Sequence, residues 1–291
     1  MELKGIITAL VTPFNSAGAI DFKTLAKFLE YQLESGVHGF VPMGSTGEYY
    51  AMTPEERADV LRCVQQTVGK RGQLVAGTNG GSTREVISHT ETAKKLGYDA
   101  VLLPPPYYCL PTQKELLAHY RAVLEAVDVT IVLYNFPLRA GVEVGYAVMD
   151  ELADNPRVIG IKESSGNLLR AIEINKRYAG KLQLSCGSDD QAFDFFLWGA
   201  TSWICGPANC LAKPAVKFYK AFVSGDLRGA QAVMRQMYPA MTNLESGQFV
   251  QKVKYGCELA GFAVGNARRP LLPLEAGEKE ELARQLALAN A

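Results

Sequence analysis

Short apolar runs alternate with amphipathic segments along the first 205 residues of the chain. Eight runs are continuous and short enough to be strands buried on both faces. They lie at residues 6–11, 39–42, 74–76, 100–103, 130–134, 158–162, 183–185 and 203–205. Between them, apolar residues recur at helical spacing, as in Leu25, Phe28 and Leu29. This alternation predicts a parallel sheet covered by helices.

Local signals mark the predicted helix ends. Thr53, Ser82 and Thr112 each stand three residues before a glutamate. This spacing predicts a capping box, in which hydroxyl and carboxylate bond the free backbone N–H groups of the first turn. Glycines at positions 36, 69, 97 and 180 are typical of helix ends. After residue 211 the strand signals cease, and helices are predicted at 214–223, 227–244, 249–259 and 279–289.

Eight strand–helix units can close into a barrel or form an open, doubly wound sheet. An open sheet usually carries a glycine-rich phosphate loop after its first strand, whereas residues 11–14 here are VTPF and no GxGxxG occurs. The count of eight and the even spacing favour the barrel. We therefore predict an α/β fold, a (β/α)8 TIM barrel over residues 1–224 followed by a C-terminal helical region at 225–291.

Composition and charge narrow the classes of function. The 291 residues are 48% apolar, and 30 basic residues balance 30 acidic ones. Nucleic-acid and polyanion binders usually carry a basic excess, so neither partner is expected. No apolar run reaches the length of a membrane span, and the chain does not open like a signal peptide. We therefore expect a cytoplasmic enzyme that does not bind membranes.

Residue types that bind metals are scattered along the chain. The six cysteines form no CxxC pair and lie mostly in apolar runs, which predicts buried reduced thiols. The three histidines are isolated, and no HExxH, Walker or GxSxG motif occurs. No metal site is predicted.

The most unusual residue of the pattern is Lys162, at the end of the predicted sixth strand. Burial disfavours a charged ammonium, and a neutral amine in a pocket is a nucleophile toward ketones. The alternative is that Lys162 pairs with Glu163 or another acid. Tyr134 ends the preceding strand, so its phenol should lie beside Lys162, where it could transfer protons or simply pack. Arg139 could clamp a carboxylate or be a solvated loop charge.

Two further loops follow strand ends, where barrel enzymes build their sites. The sequence GSTGE at 44–48 follows the second strand, and its hydroxyl and N–H groups could bind an anion or form a polar turn. Tyr107 and Tyr108 follow three prolines after the fourth strand. That stiff loop could direct them into a site, onto a partner subunit or into ordinary packing.

These motifs resemble those of the dihydrodipicolinate synthase / N-acetylneuraminate lyase family of Schiff-base-forming barrels. The similarity spans nearly the whole chain, in order and at matching spacing. The matching segments are ALVTPF at 9–14, GSTGE at 44–48, YNFPLR at 134–139, GIKE at 160–163, Gly187 with Asp189, and Ile204 with Ala208 and Asn209.

The resemblance implies a set of catalytic residues. It implies that Lys162 forms an imine with pyruvate or another 2-oxo acid and that Tyr134 is the general acid and base. Ser45 stands in the proton relay, and Tyr108 completes that relay from a neighbouring subunit. Tyr107 packs at the same interface, so the expected assembly is a homotetramer, a dimer of dimers.

The resemblance also implies the substrate contacts. Thr46 binds the pyruvate carboxylate, and Arg139 binds the carboxylate of the second substrate. Ile204 contributes a carbonyl near the imine, and Gly187 forms a turn at the site. No metal or organic cofactor is implied, because the protonated imine is itself the electron sink. The expected partner is a small-molecule 2-oxo acid.

The family contains several activities, so three functions stay open. The first, which the resemblance favours and for which Arg139 is typical, is condensation of pyruvate with aspartate semialdehyde. The second is a sialic-acid lyase or a catabolic aldolase or dehydratase for 2-keto-3-deoxy sugar acids or hydroxy-2-oxo acids. Ser45 in place of the usual threonine, and bulky Tyr49 and Tyr50, depart from the synthase pattern. The third is a non-catalytic binding paralogue, which has no need of a nucleophilic lysine.

A regulatory feature of some synthases is expected to be missing. Their lysine-binding site uses polar residues near the 44–48 loop and in the third strand–helix loop. Here Pro54, Arg57 and Gly81 stand where histidine or asparagine is frequent. We therefore expect no feedback inhibition by lysine.

Overall fold

The computed structural model describes all 291 residues and contains eight parallel strands in one closed barrel, ordered β1 to β8. Each strand overlaps one of the eight predicted runs, so the predicted (β/α)8 TIM barrel is confirmed. The strands are β1 Gly5–Ala9, β2 Gly39–Val41, β3 Gln73–Gly77, β4 Ala100–Leu103, β5 Ile131–Asn135, β6 Val158–Glu163, β7 Gln183–Cys186 and β8 Ser202–Cys205.

Twelve helices connect and follow the strands. The predicted capping boxes at Thr53, Ser82 and Thr112 are all present. None of the helices is long and apolar enough to cross a lipid bilayer. The helices are α1 Phe22–Glu34, α2 Pro54–Val68, α3 Thr83–Lys95, α4 Gln113–Ala126, α5 Pro137–Ala140, α6 Tyr146–Leu152, α7 Leu168–Tyr178, α8 Ala192–Leu197, α9 Ala208–Val223, α10 Leu227–Glu245, α11 Phe249–Leu259 and α12 Ala276–Ala289.

Two predicted helix starts were wrong. The helix predicted from residue 214 begins at Ala208 and is kinked at Leu211, where φ is −126°. Pro214 has no N–H, and its ring crowds the preceding turn, so the helix is kinked before the proline. The proline therefore marks a bend within the helix and not its start. The last helix begins at Ala276, earlier than residue 279, because Glu275 forms a capping box with Glu278.

The backbone groups into two compact units. The first unit comprises Met1–Lys4 and Leu74–Ile204 and contains β4 to β7 with α3 to α8. The second comprises Gly5–Gln73 and Cys205–Ala291 and contains β1, β2, α1, α2 and α9 to α12. In the second unit α9 packs on β1 and on the three helices that follow it. The boundary at 224 and 225 between barrel and C-terminal region stays a prediction.

The cysteines are all free thiols, but not all are buried. The prediction of buried thiols is confirmed for Cys186, Cys205, Cys210 and Cys257. Burial raises the pKa of the Cys186 and Cys257 thiols well above the ordinary value, so both stay protonated. The prediction is wrong for Cys109, which is exposed because it lies in the loop after β4 and not in a strand.

His119 on α4 makes stability depend on pH. Its Nδ1 lies 2.9 Å from the Thr83 hydroxyl, and burial lowers its pKa from 6.5 to about 4. The unfolded chain therefore binds a proton on this histidine near pH 6.5, whereas the folded chain does so only near pH 4. The free energy of unfolding that depends on neutral His119 is complete above the pKa of this histidine in the unfolded chain. It is lost as the pH falls toward the pKa in the folded chain. At ~1.36 kcal/mol per pKa unit, the total loss reaches about 3 kcal/mol.

We expect replacement of His119 by glutamine to remove this pH dependence. Urea unfolding at about pH 7 and about pH 5 should show a loss near 2 kcal/mol in the wild type that is missing from the variant. Equal losses in the two proteins would show that other groups carry the acid sensitivity.

Candidate active site

Lys162 lies one residue before the end of β6, in register with Tyr134 on β5 and Ser185 on β7. Its side chain is buried, with 7% exposure. The amine Nζ lies 4.5 Å from the centre of the Tyr134 ring. The predicted contact between Tyr134 and Lys162 is therefore confirmed, and both side chains share one face of the paired strands.

No acid neutralises the Lys162 amine. Its sequence neighbour Glu163 is fully buried and pairs instead with Arg170, whose Nε lies 3.1 Å from Oε2. Asn135 donates to both oxygens of the same carboxylate, at 3.1 and 2.9 Å. The alternative of a Lys162–Glu163 pair is therefore wrong. The Lys162 amine is therefore not held in an ion pair and is placed as a nucleophile toward a ketone carbonyl.

Gly187, just after β7, makes room for the lysine. A Cβ at this position would lie 2.8 Å from Lys162 Cε and 1.9 Å from the Ser164 hydroxyl oxygen, closer than packed atoms come. The Gly187 N–H donates to the backbone oxygen of Glu163 at 2.9 Å, which ties the turn to the end of β6. Only glycine fits here while Lys162 keeps its position.

Two more predicted residues of the first unit lie at strand ends. Ile204 is the penultimate residue of β8 and is buried. Arg139 lies on the short helix α5, which Pro137 begins, and its guanidinium carbon is 5.5 Å from the centre of the Phe136 ring. The Arg139 side chain is exposed and forms no ion pair within the chain. Its paired N–H donors are thus unused and suit a carboxylate ligand.

The GSTGE segment forms a tight turn in the second unit. Ser45–Gly47 is a 3-10 turn, and Glu48 after it has a left-handed backbone with φ of 60°. Thr46 is buried and Ser45 half-buried, and neither hydroxyl forms a hydrogen bond within the chain. The Thr12 hydroxyl donates to the Gly47 backbone oxygen at 2.8 Å, and this bond holds the turn in place. The turn therefore keeps two unused hydroxyls, as an anion site requires.

A buried ion pair anchors this turn to the C-terminal helical segment. The Glu48 carboxylate is fully buried, with Oε1 2.6 Å from Lys254 Nζ on α11 and Oε2 accepting the Arg268 N–H at 2.8 Å. Lys254 Nζ also donates to the Asn266 oxygen at 3.1 Å and lies 4.1 Å from the centre of the Phe14 ring. Burial lowers the pKa of Lys254, and the Glu48 charge opposes that shift. Sequence reasoning missed this pair, although a lysine in an otherwise apolar helix face is a usable signal.

The two tyrosines after β4 differ in exposure. Tyr107 is half-buried, whereas Tyr108 is 96% exposed and has a left-handed backbone with φ of 69°. A non-glycine residue in that conformation is strained, and such strain is frequent at functional loops. The Tyr108 ring finds no cover within its own chain.

The predicted residues therefore fall into three groups. Lys162, Tyr134 and Gly187 meet directly in the first unit. Ser45 and Thr46 share one turn of the second unit. The remaining predicted residues lie at or just after strands of the first unit, namely Tyr107, Tyr108, Arg139 and Ile204.

Comparison with known proteins gives consistent matches over the whole chain. A sequence model described as the dihydrodipicolinate synthetase family matches residues 2–289. The 4-hydroxy-tetrahydrodipicolinate synthase of Geobacter metallireducens is 37% identical over 284 residues, which cover 96% of each chain.

Solved structures agree. The chloride-inhibited dihydrodipicolinate synthase of Acinetobacter baumannii, complexed with pyruvate, has a TM-score of 0.95 and 33% identity, covering 99% of each chain. The synthase of Cyanidioschyzon merolae, with lysine bound, has a TM-score of 0.94 and 27% identity, covering 99% of this chain and 98% of that one.

Proposed function

This chain belongs to the dihydrodipicolinate synthetase family, and we propose that it condenses pyruvate with aspartate semialdehyde through an imine on Lys162. The observation that carries this proposal is the buried Lys162 amine, which has no acidic partner and contacts the Tyr134 ring. A lysine that only stabilised the fold would be expected to pair with an acid. The choice of this reaction among those of the family rests on the similar proteins, which are synthases by name.

The reaction begins at the Lys162 amine. It attacks the carbonyl carbon of pyruvate to give a carbinolamine, and loss of water forms the imine. The Tyr134 phenol delivers the proton that the leaving hydroxide needs and recovers one at a later step. The imine withdraws electrons, so a proton leaves the pyruvate methyl group and an enamine forms. The enamine carbon attacks the aldehyde carbon of the second substrate, whose oxygen takes up a proton, and the imine on Lys162 forms again. The amino group of that substrate then attacks the imine carbon and displaces the Lys162 amine, which closes the product ring.

The other predicted residues would serve the two carboxylates and the protons. In this proposal Thr46 binds the pyruvate carboxylate, and Arg139 binds that of aspartate semialdehyde. The unused donors of both residues support these roles. Ser45 and a partner subunit's copy of Tyr108 relay protons to Tyr134, and the exposure of Tyr108 supports this role.

Four further assignments stay predictions. They are the carbonyl of Ile204 near the imine, the packing of Tyr107 at a subunit interface, the homotetramer and the cytoplasmic location.

A parallel substrate screen tests the proposed reaction. One arm measures condensation of pyruvate with aspartate semialdehyde, and the other measures pyruvate release from 2-keto-3-deoxy sugar acids, hydroxy-2-oxo acids and sialic acid. We expect turnover in the first arm to exceed that in the second. Faster pyruvate release in the second arm would assign the chain a catabolic lyase or dehydratase activity. Absence of turnover in both arms would contradict the proposal that the chain is an enzyme.

We expect no inhibition by lysine. Arg57 is buried and lies over the Tyr49 ring, with its guanidinium carbon 5.3 Å from the ring centre, so a bulky arginine fills the position where the resemblance leads one to expect histidine or asparagine. Gly81 offers no side chain, and its N–H is already used by Glu85 at 2.9 Å. Lysine titration during turnover should leave the rate unchanged, with the Cyanidioschyzon merolae synthase, whose structure holds lysine, as the comparison. Inhibition at sub-millimolar lysine would overturn this prediction.

A further inference from the structure

The residues that follow Tyr134 and Lys162 form a second in-register pair. Asn135 and Glu163 are paired across β5 and β6 directly after Tyr134 and Lys162. Side chains alternate between the two faces of a strand, so this second pair lies behind the reactive one. Any movement of Asn135 or Glu163 is carried by the backbone to the amine and the phenol.

The Glu163 carboxylate is saturated with donors. Both oxygens accept from the Asn135 amide nitrogen, Oε1 also accepts the Ser165 N–H at 2.7 Å, and Oε2 accepts Arg170 Nε at 3.1 Å. Glu163 is fully buried, and the side chain of Arg170 is only 6% exposed. Charge-assisted bonds in a buried setting are strong and directional, and loss of one partner leaves the other charge uncompensated.

The same network reaches the loop after Arg139. Arg170 donates to a Glu143 oxygen at 2.7 Å and to the Val144 backbone oxygen at 2.9 Å. The Asn135 side-chain oxygen accepts the Val144 N–H at 2.9 Å. One buried carboxylate therefore connects the ends of two strands, the start of α7 and the loop that follows α5.

We propose that Glu163, acting with Asn135 and Arg170, is a positioning residue that holds the Lys162 amine and the Tyr134 phenol at reacting distance, a role that rests on the proposed function. None of its hydrogen bonds goes to the Lys162 amine or to the Tyr134 phenol. Its contribution is geometric, because misplacement of reacting groups by about 1 Å can cost ~10²-fold in rate. The proposed function assigns binding of the pyruvate carboxylate to Thr46, so this binding should be independent of Glu163.

Glu163→Gln tests this role with little change in shape. An amide nitrogen cannot accept the donors that now reach one carboxylate oxygen, and the charge is lost. We expect kcat to fall by about tenfold or more per folded enzyme, with the KM for pyruvate within about twofold of wild type. Exchanging the two groups, Asn135→Asp together with Glu163→Gln, places carboxylate and amide opposite each other again and should recover most of the lost kcat.

Tyr178→Phe is the matched structural control. Tyr178 lies at the end of α7, and its hydroxyl donates to Asp150 at 2.7 Å. Loss of that bond should lower Tm by about 2–4 °C and leave kcat unchanged. If Glu163 had only a structural role, Glu163→Gln would likewise lower Tm and leave kcat unchanged.

The outcomes separate the two proposals. Wild-type kcat in folded Glu163→Gln overturns the positioning role, while a borohydride-trapped adduct of wild type with pyruvate leaves the proposed function standing. Absence of that adduct in wild type overturns both. If Glu163→Gln does not fold, Glu143→Gln loosens Arg170 from the outside, where Glu143 is 46% exposed. A reduced kcat at unchanged KM for pyruvate then supports the role, and wild-type kcat overturns it.

Discussion

Substitution of Lys162 by methionine is expected to lower kcat/KM for pyruvate condensation by at least ~10³-fold while the protein keeps its fold. Methionine has a similar reach and can pack against Tyr134, but it has no amine to form an imine. The variant also removes a buried amine that has no acidic partner. Its unfolding free energy should therefore be equal to or higher than that of the wild type.

A surface lysine provides the matched control. Lys181 is half-exposed and pairs with Asp154 at 2.7 Å, within the same unit as Lys162. Exposed pairs of this kind contribute ~1 kcal/mol or less, so Lys181→Met should keep activity and nearly all of its stability. Steady-state kinetics and urea unfolding of both variants make the comparison. Residual activity of Lys162→Met near the wild-type level would show that the amine does not carry the reaction.

Substitution of Tyr134 by phenylalanine is expected to lower kcat by about 10²-fold or more, the usual range for loss of a general acid and base. The ring and its 4.5 Å contact with the Lys162 amine remain, so the amine keeps its position. Imine formation becomes slow because nothing delivers the proton to the leaving hydroxide. The KM for pyruvate should change little, since the phenol transfers protons and does not hold the carboxylate.

Another buried tyrosine controls for the loss of a hydroxyl. Tyr120 on α4 is fully buried, and its hydroxyl has no hydrogen-bond partner. Tyr120→Phe should therefore keep full activity and be no less stable than wild type. Pre-steady-state measurement of imine formation distinguishes the two variants. Wild-type rates in Tyr134→Phe would assign the proton transfers to other groups.

The barrel was predictable because its strands are continuous apolar runs. Strands β4 and β5 are buried along their whole length, and their sequences AVLL and IVLYN show it directly. Helix starts were predictable where a capping box is local, as at Thr53. The start of α9 was not, because Pro214 resembles a helix start, whereas the helix begins six residues earlier and is kinked before the proline.

The candidate site was predictable only where its chemistry stands out along the chain. Lys162 was visible because a lysine ends a buried strand. The partners that hold the site in place were not visible, because they come from distant segments. The Arg268 N–H donates to Glu48 across 220 residues of sequence, and no periodicity connects such positions. The choice of Arg170 rather than Lys162 as the partner of Glu163 likewise depends on three-dimensional geometry.

Borohydride reduction in the presence of pyruvate tests the central claim most directly, since it traps an imine on the lysine that forms it. After digestion, mass spectrometry should find one reduced pyruvate adduct, located on the peptide that contains Lys162. Lys162→Met should show none. Wild-type protein that stays unmodified under saturating pyruvate, or that carries the adduct on another lysine, would contradict the account.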